Sequence, residues 1–426
     1  MKSLVELIDF RYILGKKQRW LDVYILVYLL YAFTTGLEDP LLASSMGIFI
    51  FAPLLPSFLM FVFFLLWEDV TVFSFGLTSI MVMQIIMVAK IIIANKLYVS
   101  KRNKLQSKLY SIQTLLTIYV CIMGILSYIV GDGLTGLGLV FKLLISFYII
   151  SFVNSDHVFE TLLKSMLHVL MISAIVATVY GLFHDTGVDR WIAELGHTSN
   201  QLSGTVGTTR MALFYLVAVS FFLYYVKNTL VRYWGVISFC VLIIMTISLT
   251  AIILTLMVFL VYMFSLDKIN KSLIGVTLFL FAGLVSFPIW SQLDVVKPVV
   301  YRATDALYAY ESGDVNLAVS GRQKLSENYM KNWSESSMSN KYFGYAKSAR
   351  SVTGIIKFSH NTYIDMLFYF GLMGVLFLAI LLLIKLKSIR YKPYFFPLLT
   401  MKMVYIVGSA TVSIMTTAYY FIIIFI

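Results

Sequence analysis

Thirteen stretches of this chain are apolar over about the length that crosses a hydrocarbon core of roughly 30 Å. They lie near residues 21–36, 41–66, 70–94, 109–130, 134–152, 159–181, 209–226, 232–247, 249–266, 272–290, 361–384, 394–410 and 412–426. A chain with this pattern has lipid for most of its solvent. Composition agrees: of 426 residues, 60% are hydrophobic and only 13% charged, and mean hydropathy is +0.87, outside the range of a soluble domain. The fold expected is an all-α polytopic membrane protein with about 12 transmembrane helices, thirteen or fourteen being the alternatives.

Orientation follows from where Lys and Arg fall in short connections, because those connections resist translocation. The basic turns are 96–108, 227–232, 268–271 and 385–392. Counting apolar runs between them puts all four on one side, expected to be the cytoplasm. Segments 182–208 and 291–360 are then extracytoplasmic. The amino-terminal cations Lys16, Lys17 and Arg19 break the parity, since three runs separate them from 96–108. One early run therefore does not cross. The short run 21–36 is one candidate, and 41–66, which holds Pro53 and Pro56, is the other, as a broken or re-entrant element. The chain divides into amino-terminal helices over 1–290, a large outer loop over 291–360 and carboxy-terminal helices over 361–426.

No cleavable signal peptide is expected, because the first twenty residues are charged and lack a small-residue cleavage site. Cys121 and Cys240 sit within apolar runs and read as small buried hydrophobes. The net charge of +12 restates the positive-inside pattern and does not point to nucleic acid. Gly131 to Gly136 fits GxGxxG, but it joins two apolar runs and lacks the strand that a dinucleotide fingerprint requires. There is no HExxH, CxxC, P-loop or Asp-x-Asp motif, so no metal or cofactor is expected.

Chemistry is expected in the large loop. From Ser320 to His360 it carries seven Lys or Arg against two acids, Glu327 and Glu335, a field that attracts anions. Leu325, Tyr329 and Trp333 recur at a four-residue spacing, which predicts a helix over 320–335. Ser320-Gly321 before Arg322 permits a tight turn and close backbone approach, and a guanidinium can clamp phosphate oxygens bidentately. Lys324, Lys347 and Arg350 add cations to the same loop. His360 ends the loop where an imidazole can titrate near neutral pH and serve as base or hydrogen-bond donor. Arg210 begins the run 209–226 at the outer face, where the positive-inside rule predicts few cations.

Ser320-Gly321-Arg322, then Trp333, Tyr342-Phe343-Gly344-Tyr345, His360-Asn361-Thr362-Tyr363-Ile364-Asp365 and Gly371-Leu372-Met373-Gly374, in this order, resemble the O-antigen ligase and polymerase superfamily, including Wzy-type polysaccharide polymerases. The resemblance is close over about 320–375; elsewhere it rests on span number and on the smaller outer loop before an Arg-bearing helix. It implies a metal-independent glycosyltransferase of GT-C type in the bacterial cytoplasmic membrane, acting at the outer face on a glycan carried by undecaprenyl diphosphate.

Arg322, His360 and Arg210 take the family's loop Arg, loop His and helix Arg. Ser320, Gly321, Lys324, Lys347, Arg350, Asn361 and Tyr363 are the accompanying substrate contacts, with Trp333 and its neighbouring aromatics against sugar faces. The partners implied are lipid-linked oligosaccharide donor and acceptor, membrane lipid, a chain-length regulator and a flippase. The expected reaction is polymerisation of repeat units into a capsule, exopolysaccharide or O-antigen chain. An O-antigen ligase or protein O-oligosaccharyltransferase is the same-fold alternative. A transporter or lipid-linked glycan flippase is a third reading, although such proteins favour internal repeats and short loops.

Overall fold

Ten consecutive residues, Met211 to Ser220, are completely buried. A helix with one face to water cannot do this; this one is enclosed on all sides. The computed structural model describes residues 54–64, 83–90, 104–130, 145, 156–183, 208–246, 248–265, 297–312, 322–355, 361–390, 392 and 394–409. The described residues form helices and connecting turns, with no strand among them.

In chain order the helices are α1 (Leu54–Phe64), α2 (Lys104–Ile129), α3 (Asp156–Phe183), α4 (Thr208–Tyr225), α5 (Thr229–Met245), α6 (Leu249–Phe264), α7 (Lys297–Glu311), α8 (Arg322–Ser334), α9 (Met338–Phe343), α10 (Ala349–Thr353), α11 (Thr362–Ile389) and α12 (Phe395–Ser409). A further helical stretch covers 83–90. The enclosed helix is α4, with α3, α5, α6 and α12 packed around it.

Side-chain pairs fix the direction of each helix. Thr178 bonds Tyr215, and the rings of His168 and Phe221 lie 5.4 Å apart, so α3 and α4 are antiparallel. Thr400 Oγ1 is 3.0 Å from the Tyr224 hydroxyl, whereas Gly408 packs on Leu213, so α12 is antiparallel to α4 as well. Tyr262 meets Tyr224 edge-on at 5.3 Å, and Phe159 meets Tyr394 at 4.6 Å. One end of the bundle therefore collects the carboxy-terminal ends of α4 and α6, the amino-terminal ends of α3 and α12, and the cations Lys227, Arg232 and Lys392 that flank them. The other end collects the close of α3, the start of α4 and the close of α12. The described residues on either side of 184–207 lie at that second end, as does the start of α11, on which α8 to α10 pack; it is here called the loop end.

Asn228 caps α5, its Oδ1 accepting from the backbone N–H of Leu230 at 3.0 Å and of Val231 at 3.2 Å, and so turns the chain sharply after α4. Outward faces are as apolar as the core. Leu115, Ile118, Ile122, Ile125 and Ile129 are exposed along α2 at alternating three- and four-residue spacing. Ile237 and Val241 on α5, and Ile253, Leu256 and Leu260 on α6, do the same. Such stripes exceed what a soluble surface tolerates. Two segments, Phe159–Thr178 and Thr362–Ile384, are long and apolar enough to cross a membrane. Pro56 lies in the first described turn of α1, a position where a proline is tolerated in a helix.

Candidate functional site

The large loop folds onto α11, and the contact depends on two glycines. Inside α11 the helix is broken at Gly371, which has φ 61° and ψ −170°, a region open in practice to glycine alone. Gly344, the cap after α9, has φ 80° and ψ 178°. The two residues face each other so closely that a Cβ on Gly371 would strike the backbone of Tyr342 and Gly344, and one on Gly344 would strike Tyr369 and Gly371.

This approach lets the loop bond to the helix at its break. The Tyr345 N–H donates to the Phe368 carbonyl at 2.6 Å, and the Ala346 N–H to the Tyr369 carbonyl at 3.3 Å. From α2, the Tyr119 hydroxyl lies 2.6 Å from the Phe370 carbonyl and 2.8 Å from the Phe343 carbonyl, sharing its proton between helix and loop. Three successive carbonyls of α11 thus accept from outside the helix. The Tyr345 ring stacks on Phe368 at 5.9 Å and its hydroxyl bonds Ser336.

Above the break, α8, α10 and the first turns of α11 enclose a second core of Tyr329, Ala349, Ile364 and Phe368, with Leu325, Trp333, Tyr345, Val352 and Ile355 around it. The spacing of Leu325, Tyr329 and Trp333 thus forms a helix as expected, and the stripe faces α11. Burial raises the Tyr329 phenol above the ordinary tyrosine range; a hydrogen bond from the Thr353 side chain and the Arg350 guanidinium oppose the shift, and the Asp365 carboxylate adds to it. Arg350 of α10 and Asp365 of α11 therefore both act on Tyr329 through their charge.

Arg322 is the first residue of α8, one turn before Leu325, and Arg210 lies in the first turn of α4. Ser320, Gly321 and His360 lie outside the described residues. Lys324 and Arg350 are exposed, and Lys347 is half-buried between α9 and α10. Asn361 caps α11: its Oδ1 accepts from Tyr363 N–H at 2.9 Å and Ile364 N–H at 3.4 Å. With Asp365 in the first turn, this helix terminus already has its negative partner. Anion attraction here therefore falls to side-chain cations. The Tyr363 hydroxyl donates to the Ile406 carbonyl of α12 at 2.6 Å. Trp333 is half-buried, its indole Nε1 enclosed and without a hydrogen-bond partner among the described residues.

The Tyr363 bond ties the two halves of the site. Ile406 is two residues from Gly408, which packs on Leu213, itself three residues from Arg210. At 1.5 Å rise per residue, the backbone of Arg210 and the first turn of α11 are separated along the bundle axis by no more than about two turns. The sequence missed Tyr119, whose only signal is a hydroxyl in an apolar run, and the role of Tyr329.

No family model matches the chain, and no curated protein matches it.

Proposed function

We propose that this chain is a glycosyltransferase of the polysaccharide polymerase class, embedded in a bacterial cytoplasmic membrane through about 12 helices, with its active site on the extracytoplasmic side. The observation that carries the reading is the convergence, at the end opposite Lys227, Arg232 and Lys392, of the Arg210 turn, the first turn of α11 and the loop helix that begins at Arg322. The marker residues Tyr342 to Tyr345 and Gly371 to Gly374, 26 positions or more apart in the chain, are interlocked at that end. The apolar stripes facing outward on α2, α5 and α6 support the membrane, and the cations Lys227, Arg232 and Lys392 at one end support its orientation.

In this reading the donor is an oligosaccharide on undecaprenyl diphosphate. A hydroxyl of the acceptor glycan attacks the anomeric carbon from the face opposite the diphosphate. The new C–O bond forms as the C1–O bond to phosphate breaks, with inversion, and the electron pair leaves on the diphosphate. Arg322 and Arg210 stabilise that charge, with Lys324, Lys347 and Arg350 contributing to the surrounding field. His360, the residue before the Asn361 cap, takes the proton of the attacking hydroxyl. The activated donor supplies the driving force, so no nucleotide is consumed.

The test is to incubate the purified chain in liposomes with a lipid-linked repeat unit and excess EDTA, and to resolve products on gels. A ladder of increasing length is expected. Transfer of a single glycan to a protein or lipid A core without a ladder would favour the ligase reading. Loss of the ladder in EDTA with recovery on Mg²⁺ would replace the arginine mechanism with a metal one.

A further inference from the structure

The meeting of Gly344 with Gly371 lies deep in the bundle. Ile384 closes the apolar segment Thr362–Ile384, directly before Lys385, and Gly371 is thirteen residues above it. That is about 20 Å of regular helix, so about 10 Å of a hydrocarbon core of roughly 30 Å remains above the break. The depth measured along α2 agrees. Its start carries Lys104 and Lys108, the pattern of a cytoplasmic end, and Tyr119 follows Lys108 by eleven residues, about 17 Å. Beyond Tyr119, the outward row of Ile122, Ile125 and Ile129 continues to the end of the helix. We propose that the part of the loop held by Tyr119 and Gly371, from Tyr342 to Ala346, is a re-entrant turn seated inside the leaflet at the loop end, with the Tyr342 and Phe343 side chains against acyl chains.

Backbone outside a helix is tolerated at membrane depth only where the protein itself satisfies it. Here four successive groups are met. The Phe343 carbonyl accepts from the Tyr119 hydroxyl. The Gly344 N–H donates to the Asn340 carbonyl at 2.8 Å, and the Tyr345 and Ala346 N–H groups donate to the carbonyls of Phe368 and Tyr369. A turn in water needs none of these partners. Ala346 is buried within the main core of the bundle, whereas Tyr342 at 46% and Phe343 at 52% exposure face away from it. Aromatic rings on the outer side of a turn at this depth meet lipid. Lys341, one residue before them, is half-buried and long enough to carry its ammonium back toward the headgroups. The proposal rests on the membrane reading and is independent of glycosyl transfer.

The test uses the full chain in phosphatidylcholine liposomes, with Cys121 and Cys240 replaced by Ser and a nitroxide on a single cysteine introduced at 122, 331, 335, 342 or 343. Lys331 and Glu335 are exposed at the close of α8 and report water, while position 122 reports the outward row of α2. Collision with oxygen should dominate at 122, 342 and 343, and collision with a water-soluble nickel chelate at 331 and 335. Oxygen at 122 with nickel at 342 and 343 would overturn the placement and leave the membrane reading standing; nickel at all five would overturn both. Exclusion of both reagents from 342 and 343 would mark protein against them and overturn the placement as well. Should labelling compromise recovery, Tyr342→Trp in an otherwise wild-type chain gives the same answer: lipid brominated in the acyl chain should quench the added fluorescence, and quenching by aqueous iodide instead contradicts the placement.

Discussion

The backbone N–H of Tyr345 donates to the carbonyl of Phe368 at 2.6 Å, and this bond forms where α11 is broken. A regular helix offers no carbonyl sideways to a loop. Here the break at Gly371, the matching extended glycine at 344 and the Tyr119 hydroxyl together make a socket in which the loop is held by backbone atoms. The residues argued to act on substrate, Arg322 and His360, flank the part of the loop so held.

Gly371→Ala should release the loop, because a Cβ there strikes backbone atoms and the conformation itself costs on the order of 1–3 kcal/mol for a residue other than glycine. Gly354→Ala is the control. Gly354 also has positive φ, 67°, but a Cβ would meet nothing within 4 Å, so the cost is limited to the left-handed backbone, about 1 kcal/mol. Trypsin cleavage at Lys341 and Lys347 in detergent reports loop release. Equal cleavage rates for the two variants would contradict the interlock.

Tyr119→Phe keeps the ring that meets Phe377 at 6.0 Å and removes only the hydroxyl between Phe343 and Phe370. Removing that donor from the part-buried Phe370 carbonyl and the exposed Phe343 carbonyl costs on the order of 1 kcal/mol, or roughly a fivefold rise in the open loop population. Hydrogen exchange at Tyr345 and Ala346 should accelerate by that factor. Unchanged exchange would show that the bond contributes nothing to holding the loop.

Alkaline pH should loosen the same region. Because burial raises the Tyr329 phenol, the folded loop keeps it neutral where the released loop would ionise it. The associated stability is whole below the ordinary tyrosine value of about 10 and is lost as pH rises through and above it. Loop protection in wild-type protein should fall over that window, and Tyr329→Phe should flatten the dependence. Identical pH profiles would remove Tyr329 from the account.

Arg322→Lys should lose most chain assembly despite keeping its charge, since a point ammonium cannot reproduce a bidentate fork on a diphosphate. Gel analysis of glycan made by correctly inserted variant protein measures this. Assembly near wild type would show that Arg322 is an ordinary loop cation.

Much of the architecture was legible in local patterns. The runs 159–181, 209–226, 232–247 and 249–266 became α3 to α6 within a few residues, and the spacing of Leu325, Tyr329 and Trp333 became α8. The break in α11 was hidden because Gly371 sits in an unbroken apolar run where glycine is common anyway. The sequence offered Tyr342 to Tyr345 and Gly371 to Gly374 as separate markers; their contact runs through backbone atoms, which leave no pattern of complementary side chains. Tyr119 was missed for the same reason, because it bonds carbonyls. The loop's division into α7, α9 and α10 was also unseen: α9 and α10 are held by single-residue caps at Ser337 and Ser348 in a stretch where serine is common.

The most direct measurement compares wild type with His360→Ala in the same detergent, recording binding of the lipid-linked donor and elongation side by side in EDTA. Loss of an acid-base group typically costs about 10²–10⁴-fold in rate, enough to remove visible polymer. Wild-type protein should bind the donor and produce a ladder, while His360→Ala should bind it nearly as well and produce none. A wild-type chain that binds no lipid-linked donor and yields no ladder, or a His360→Ala chain that elongates normally, would contradict the account.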